Sequence, residues 1–312
     1  MDEPDTISRF TSQIKDPELT AAIRITSRVL ISLQKYAYDA GFVQIMPVML
    51  SPLTDPLNHA VYPAELEYEG RRLKLTASMI FHKQLALALL GVDKIFVVSP
   101  NIRLELSSVK SSANHLLEFS QFDIEMLDAT SFDVMKFIES TVKYVFDDVR
   151  ESCATDLKTL RRNLPDFQQP FPIYASEDLR KRHGDDFERC ISEESTTPCF
   201  LTNFKREFYD RETPGQRGHY NNFDLIYPHG YGEALSGAER EFQYDQIMYR
   251  MRELDMNLTS FDNYLVAAQR GLIPQTAGAG LGIQRMVRFL CGRKEIKDVC
   301  LFDRSVASEF VF

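Results

Sequence analysis

Tryptophan is absent from this chain of 312 residues, and cysteine is scarce. The five cysteines are Cys153, Cys190, Cys199, Cys291 and Cys300, and no two of them form a Cys-x-x-Cys pair. An odd and irregular set of cysteines argues against a disulfide framework and against the common zinc motifs, so we expect free thiols in a reducing cytoplasm. No apolar run approaches the roughly 20 residues that a membrane span requires.

Positive charge is also in deficit, because 36 lysines and arginines face 45 aspartates and glutamates. Nucleic-acid backbones are bound by clustered lysine and arginine, so we do not expect a nucleic acid among the partners. Residues 1–5 are acidic, unlike a signal or transit peptide. The apolar fraction of 44% and the charged fraction of 26% are those of an ordinary globular protein.

The apolar periodicity predicts strands in adjacent groups, with helices between and after them. A first helix is expected to start at Asp16, which can cap it, and to stop at Gly41. Further helices are predicted at 79–90, 132–149, 241–254, 260–271 and 283–291, and strands at 43–50, 94–98, 102–106, 116–126, 199–204, 223–227, 232–235 and 277–281. Residues 151–195 are charged and poorly periodic, which predicts an insertion with short helices. This order predicts an α+β fold, an antiparallel sheet flanked by helices, in a single domain covering residues 1–312.

Two segments about 180 residues apart in the chain carry the residue types of a nucleotide site. In the first, Arg103 and Glu105 alternate on a strand and so face one side, and a polar loop then leads to His115 and Phe119. The second reads Gly-Ala-Gly-Leu-Gly-Ile-Gln-Arg over 278–285 and runs into an apolar helix. Alone, an Arg-x-Glu pair is usually solvated, Phe119 would usually be core, and spaced glycines could also indicate a dinucleotide fold. No βαβ unit surrounds these glycines, which disfavours the last interpretation.

Together these segments resemble motifs 2 and 3 of the class II aminoacyl-tRNA synthetases. The resemblance implies an ATP-binding antiparallel sheet and the joining of a carboxylate to the α-phosphate of ATP. It implies that Arg103 contacts the α-phosphate and the attacking carboxylate, and that Arg285 closes over the base and meets the γ-phosphate. The other nucleotide contacts that it implies are Glu105 at the adenine amino group, His115 at the terminal phosphates, Phe119 stacked on adenine, and Gly280 and Gly282 beneath the nucleotide.

Two further segments, 230–241 and 76–84, resemble the aspartyl/asparaginyl branch of that class. The resemblance implies that Glu233 and Ser236 hold Mg²⁺, which prefers oxygen ligands together with substrate phosphates. It also implies an acid-binding set made of Ser78, Lys83, Asp123 and Arg240. Lys83 and Arg240 would hold a carboxylate away from the reacting centre, while Asp123 and Ser78 would receive the substrate ammonium.

The chain departs from the family pattern at three positions. Asn114 stands where an arginine is usual, Gln284 where a glutamate is usual, and Ile80 where the branch has glutamine. Lys110 lies in the same loop as Asn114 and could replace the missing cation. These departures leave open a changed substrate pose or a non-catalytic paralogue that binds nucleotide or amino acid.

Residues 42–52 resemble motif 1, the dimer element of the class, which predicts a homodimer. About 15 residues precede the first helix, which leaves no room there for the OB-fold of the tRNA-charging enzymes. Segments 49–56, 99–105 and 206–212 look like those of archaeal asparagine synthetase-related proteins. That resemblance implies conversion of aspartate, ammonia and ATP into asparagine, AMP and pyrophosphate. The alternatives are an amide ligase for another acid and amine, and an enzyme that acylates tRNA or a carrier protein.

Overall fold

The computed structural model describes residues 11–308, which fold around one large sheet. The helices are α1 (Pro17–Asp39), α2 (Ile80–Leu89), α3 (Ser131–Ser152), α4 (Ala154–Thr159), α5 (Ser176–His183), α6 (Phe187–Glu194), α7 (Tyr244–Glu253), α8 (Asp262–Gln269) and α9 (Ile283–Cys291). The strands are β1 (Val43–Gln44), β2 (Leu50–Ser51), β3 (Val61–Tyr62), β4 (Glu65–Tyr68), β5 (Arg71–Leu75), β6 (Lys94–Ile102), β7 (Leu104–Glu105), β8 (Glu118–Leu127), β9 (Ile173–Ala175), β10 (Cys199–Thr202), β11 (Asn222–Tyr227), β12 (Gly232–Glu239) and β13 (Thr276–Gly282). Within these residues no helix is long and apolar enough to cross a membrane.

The main sheet has eight strands in the order β1-β6-β8-β13-β12-β11-β10-β9. All neighbours from β6 to β10 are antiparallel, whereas β1 on β6 and β9 on β10 are parallel. The predicted antiparallel sheet flanked by helices is therefore confirmed, with a parallel strand added at each edge. Strand β13 lies near the centre of the sheet and pairs with β8 on one side and β12 on the other. It therefore brings the predicted site residues of these three strands together.

The first helix begins and ends where the sequence predicts. The side chain of Asp16 accepts a hydrogen bond from the amide of Glu18 at 2.8 Å, and Gly41 follows the helix with a φ of +83°. Its buried face, which includes Ile25, Val29 and Leu33, joins residues of α3, α9 and the sheet in the main core. This packing fixes the helical layer behind the sheet and leaves the opposite face for a cavity.

The structure departs from the local predictions in several places. Residues 43–50 form two short strands in different sheets, because β1 pairs with β6 while β2 pairs with β5. The hairpin of β4 and β5 was not predicted, since every residue of β4 is exposed and no alternation of burial marks it. Segment 151–195 contains the expected short helices, and it also supplies β9 as an edge strand of the main sheet.

The contact between β8 and β13 is close enough to require glycine at position 278. A Cβ on Gly278 would lie 2.0 Å from Glu125 Oε2 and 2.3 Å from the carbonyl oxygen of Ile124. Because a backbone atom cannot rotate away, Gly278→Ala is expected to lower the free energy of unfolding by about 1–3 kcal/mol or more, as overpacking does. Denaturant unfolding measures this. Gly91→Ala is the control, since nothing lies within 4 Å of the added methyl. Equal stability of the two variants would contradict the close approach.

Candidate active site

A cavity of about 310 Å³ opens over β8, β13 and β12. Every residue that the sequence predicts for the site lines it: Ser78, Lys83, Arg103, Glu105, His115, Phe119, Asp123, Glu233, Ser236, Arg240, Gly280, Gly282 and Arg285. Sheet register explains the assembly, because Gly280 of β13 pairs with Asp123 on one side and with Ser236 on the other. Residues two apart on a strand share a face, so Phe119 lies on the same side of β8 as Asp123.

Arg103 is held at one end of the cavity by two contacts. Its Nε donates to the carbonyl oxygen of Ala77 at 3.2 Å, and its guanidinium lies 5.1 Å from the centre of the Phe119 ring. Burial, with the charge of Arg285, lowers the pKa of His115, so this ring is neutral near pH 7. The cavity thus presents a planar cation and an aromatic ring side by side, which suits a phosphate next to a flat base.

Glu105 and Arg285 have protein partners. His59 Nε2 lies 3.1 Å from Glu105 Oε1, and Arg285 Nη1 lies 2.9 Å from Glu233 Oε1. His59 comes from an irregular loop and was not predicted, because a single histidine outside a motif gives no sequence signal. A base contacting Glu105 would compete with His59 for the same carboxylate.

The three departures from the family pattern are structurally accommodated. Gln284 Oε1 accepts a hydrogen bond from the Ser120 amide at 3.0 Å, and Asn114 Oδ1 accepts one from Arg288. Ile80 lines the cavity at the start of α2. Lys110 is exposed and is not among the cavity residues, so the structure does not place it as a replacement cation.

The predicted acid-binding cations are already paired. Lys83 Nζ lies 2.8 Å from Asp123 Oδ1, and Arg240 Nε lies 3.0 Å from Glu125 Oε1. Thr276 also donates to Glu125, at 2.7 Å. All four charged residues are at most 4% exposed, and their formal charges cancel. Lys83 and Arg240 are therefore not two free cations, and an incoming carboxylate meets an electrically balanced cluster.

Asp123 is likewise engaged on both oxygens. Lys83 binds Oδ1, and the hydroxyl of Ser99 donates to Oδ2. An ionised carboxylate has about four acceptor sites, and Asp123 lines the cavity, so its contact with a substrate ammonium stays a prediction. Glu125 could have been found from the sequence, since it continues the period-two series after Asp123. Ser99 could not, because its partner lies on another strand.

Glu233, Ser236 and Asp224 bring oxygen donors together on β11 and β12. Burial opposes ionisation of Glu233, but the nearby Arg285, Arg206 and Arg103 hold the pKa of its carboxyl below the usual range. Burial raises the pKa of Asp224 to about 6, although Arg206 opposes the shift. In the described residues no group of three Asp, Glu, His or Cys could enclose a metal by itself. The set fits an Mg²⁺ that takes its remaining ligands from substrate phosphates.

An acidic wall, formed by Asp55, Glu207 and Asp210, lines the same cavity. Arg206 is the cation that faces it, with Asp210 Oδ2 and Glu207 Oε2 each 3.1 Å from its Nε. That Nε donates to Asp210, and Glu207 Oε2 is buried without a well-aligned hydrogen bond. Burial, with Asp210 and Asp55 nearby, raises the pKa of Glu207 to about 8. The wall is short of positive charge, a feature that the sequence motifs did not indicate.

The family model of the class II tRNA synthetases (D, K and N) matches residues 5–306. The chain belongs to this family. It is therefore a ligase of the kind that forms an aminoacyl-adenylate from ATP. Two relatives are the asparagine–tRNA ligase of Thermoplasma acidophilum, 25% identical over 94% of this chain and 71% of that protein, and the aspartate–tRNA(Asp/Asn) ligase of Methanothermobacter thermautotrophicus, 30% identical over 93% and 68%.

Solved structures agree with the fold. The asparaginyl-tRNA synthetase of Pyrococcus horikoshii, complexed with asparaginyl-adenylate, superposes with a TM-score of 0.84 at 24% identity. The match covers 95% of this chain and 71% of that one. The class II synthetase chain therefore has the α+β architecture that its sequence predicted.

Proposed function

We propose that this class II ligase makes an amide from an aspartate-like acid, ammonia and ATP, and releases AMP and pyrophosphate. The observation that carries the proposal is the acidic wall in the same cavity as the nucleotide and acid residues. A cationic amine would supply the positive charge that Asp55, Glu207 and Asp210 lack. It would also favour the ionised form of Glu207, whose carboxylate could then take a proton from the amine.

The reaction divides into two balanced steps. A carboxylate oxygen of the acid attacks the α-phosphorus of ATP, and the bond to pyrophosphate breaks. The bound ammonium then gives one proton to the Glu207 carboxylate and becomes ammonia. The ammonia nitrogen attacks the acyl carbon, the bond to AMP breaks, and the nitrogen loses a second proton to solvent. In the first step Arg103 binds the α-phosphate and orients the carboxylate, while Arg285 and His115 contact the outer phosphates. Phe119 and Glu105 bind the adenine.

The proposal assigns Mg²⁺ to the oxygen donors on β11 and β12. Glu233 and Ser236 would hold Mg²⁺, with Asp224 beside them, and the metal would neutralise charge on the phosphates. Ser236 bonds to Asp224, and Arg285 pairs with Glu233. These protein bonds keep the oxygen donors oriented and the Glu233 carboxyl ionised.

The competing proposal is that the acyl group goes to tRNA. The names of the relatives favour it, since they are asparagine–tRNA and aspartate–tRNA ligases. The acidic wall favours the amine, because carboxylates attract a cationic nitrogen and the hydroxyl group of an RNA end carries no positive charge. An amide ligase for another acid and amine uses the same two steps.

One assay separates these proposals. With ATP, Mg²⁺, aspartate and ammonium, we expect AMP and asparagine in equal amounts, identified by mass. Omitting either aspartate or ammonium should reduce steady AMP release. ADP as the nucleotide product would contradict the mechanism. If aspartate-dependent AMP release needs tRNA and yields acylated tRNA, the acceptor is tRNA and not ammonia. If turnover occurs with a different acid and not with aspartate, that acid is the substrate.

We also propose a homodimer. Strand β1 is the outer edge of the main sheet, and the segment that follows it exposes Met46 by 84% and Met49 by 55%. Exposed apolar side chains beside an edge strand, whose outer side has no pairing partner, are typical of an interface. Light scattering at micromolar concentration should give twice the mass of 35.9 kDa. Met46→Glu with Met49→Glu should shift the protein to monomer, and a monomeric parent protein would contradict the proposal.

A further inference from the structure

The side chain of Gln121 has a fixed orientation at the base of the cavity. Its Oε1 accepts a hydrogen bond from Asn101 Nδ2 at 2.9 Å, on the β6 side. Its Nε2 lies over Gly280 of β13, 3.0 Å from where a Cβ of that residue would be. No hydrogen bond within residues 11–308 uses this Nε2, and Gln121 lines the cavity. The side chain therefore offers an N–H donor to a ligand.

The orientation of Gln121 is set by Asn101. Asn101 Nδ2 also lies 3.3 Å from the backbone carbonyl oxygen of Ser99, and a carbonyl can only accept. The atom of Asn101 that contacts this carbonyl must therefore be the NH₂ nitrogen. The same nitrogen contacts Gln121, so the atom of Gln121 that accepts from it must be the oxygen. Asn101 is 0% exposed, and its own Oδ1 is buried without a partner among the described residues. A buried oxygen without a hydrogen bond costs free energy, so we infer that Asn101 is present for the hydrogen bond that its Nδ2 donates to Gln121.

The Nε2 donor of Gln121 can bind a carboxylate of a dicarboxylic amino acid but not its ammonium group. An NH₂ group binds a carboxylate oxygen and does not bind an ammonium group. Lys83 and Arg240 are already balanced by Asp123 and Glu125, so Gln121 supplies a hydrogen-bond donor that the protein does not itself use. Whichever carboxylate rests on Gln121 is kept away from Arg103, and the other carboxylate reaches the phosphate.

We propose that Asn101 determines which carboxylate of the acid is activated, by holding Gln121 with its NH₂ toward the non-reacting carboxylate. This inference rests on the proposed function. Asn101 is a positioning residue in it, because it acts through Gln121 and does not touch the substrate. With the α-carboxylate on Gln121, the β-carboxylate is presented to ATP.

The test uses hydroxylamine as the amine, because the α- and β-aspartyl hydroxamates can be separated and compared with standards. The parent protein should form the β-hydroxamate. Asn101→Leu frees Gln121 to turn, so the α-hydroxamate should appear beside the β product, and KM for aspartate should rise about tenfold, the scale of one hydrogen bond. KM for ATP should not change. Gln121→Glu offers only acceptors to the cavity and should lose the β product.

Val98→Ala is the matched control, since Val98 lies on the opposite face of β6 and packs against the main core. It should change stability without changing the product ratio. If both Asn101→Leu and Gln121→Glu give only the β product at unchanged KM for aspartate, the inference is overturned and the proposed function stands. If the parent protein forms no hydroxamate from aspartate, the proposed function fails and the inference fails with it.

Discussion

Arg103→Ala is expected to reduce acid-dependent AMP formation by a factor on the order of 10² or more, the scale for losing one pre-organised charge donor. The loss should be large because Arg103 is held in place before substrate arrives, by the carbonyl of Ala77 and the ring of Phe119. Arg103→Lys should recover little, since an ammonium cannot make two parallel hydrogen bonds. Steady-state release of AMP measures the effect.

The control for this prediction is Arg72→Ala. Arg72 lies on β5 with 80% of its side chain exposed, so removing it should leave the rate within about twofold, as for surface substitutions. A rate for Arg103→Ala within threefold of the parent would show that Arg103 does not stabilise the transferring phosphate. A similar loss in both variants would point to a general effect on the fold.

Glu125→Ala is expected to cost about 3–5 kcal/mol of unfolding free energy, because it leaves a buried guanidinium without its partner. Glu125 is 0% exposed and accepts from both Arg240 and Thr276. The midpoint of denaturant unfolding reports the change. Glu118→Ala on the same strand is the control, since its side chain is 59% exposed and should contribute less than about 1 kcal/mol.

A double variant tests the cause of that loss. Glu125→Leu with Arg240→Met removes both charges and keeps apolar volume, so it should be more stable than Glu125→Ala. If the double variant is no better than Glu125→Ala, the unpaired charge of Arg240 is not the cause of the instability. If Glu125→Ala is as stable as the parent, Arg240 has another partner and the balanced cluster is not a unit.

The sequence correctly grouped the predicted nucleotide residues in one cavity, because they lie in two short segments whose strand periodicity is regular. Their contacts with a nucleotide stay a prediction. Each of these residues, such as Arg103, Phe119 and Gly280, lies within a short segment that holds other predicted nucleotide residues. The partners of the predicted acid-binding residues could not be found from the sequence, for a physical reason. Pairs such as Lys83 with Asp123 form across strands and between elements, and a single sequence carries no signal for them. His59 and Glu207 lie in irregular segments, where no periodicity shows which way a side chain points.

Fold prediction failed where burial does not alternate. Strand β4 is exposed along its whole length, so its sequence resembles a polar loop. Residues 43–50 are apolar, but their exposed methionines lie on the surface rather than in a core strand. Strand β9, with three residues, is too short for a period of two to be recognised. These elements were missed because their pairing partners, and not their own residues, define them.

The central place of β13 has a consequence for how the protein becomes active. Strands β6 and β8 lie on one side of it and β12, β11 and β10 on the other, so the two halves of the sheet meet only through residues 276–282. Pairings so distant in sequence close slowly, because the chain must first lose the entropy of long loops. The cavity therefore cannot form until β13 has paired with both halves of the sheet, so folding must bring these strands together before a ligand can bind.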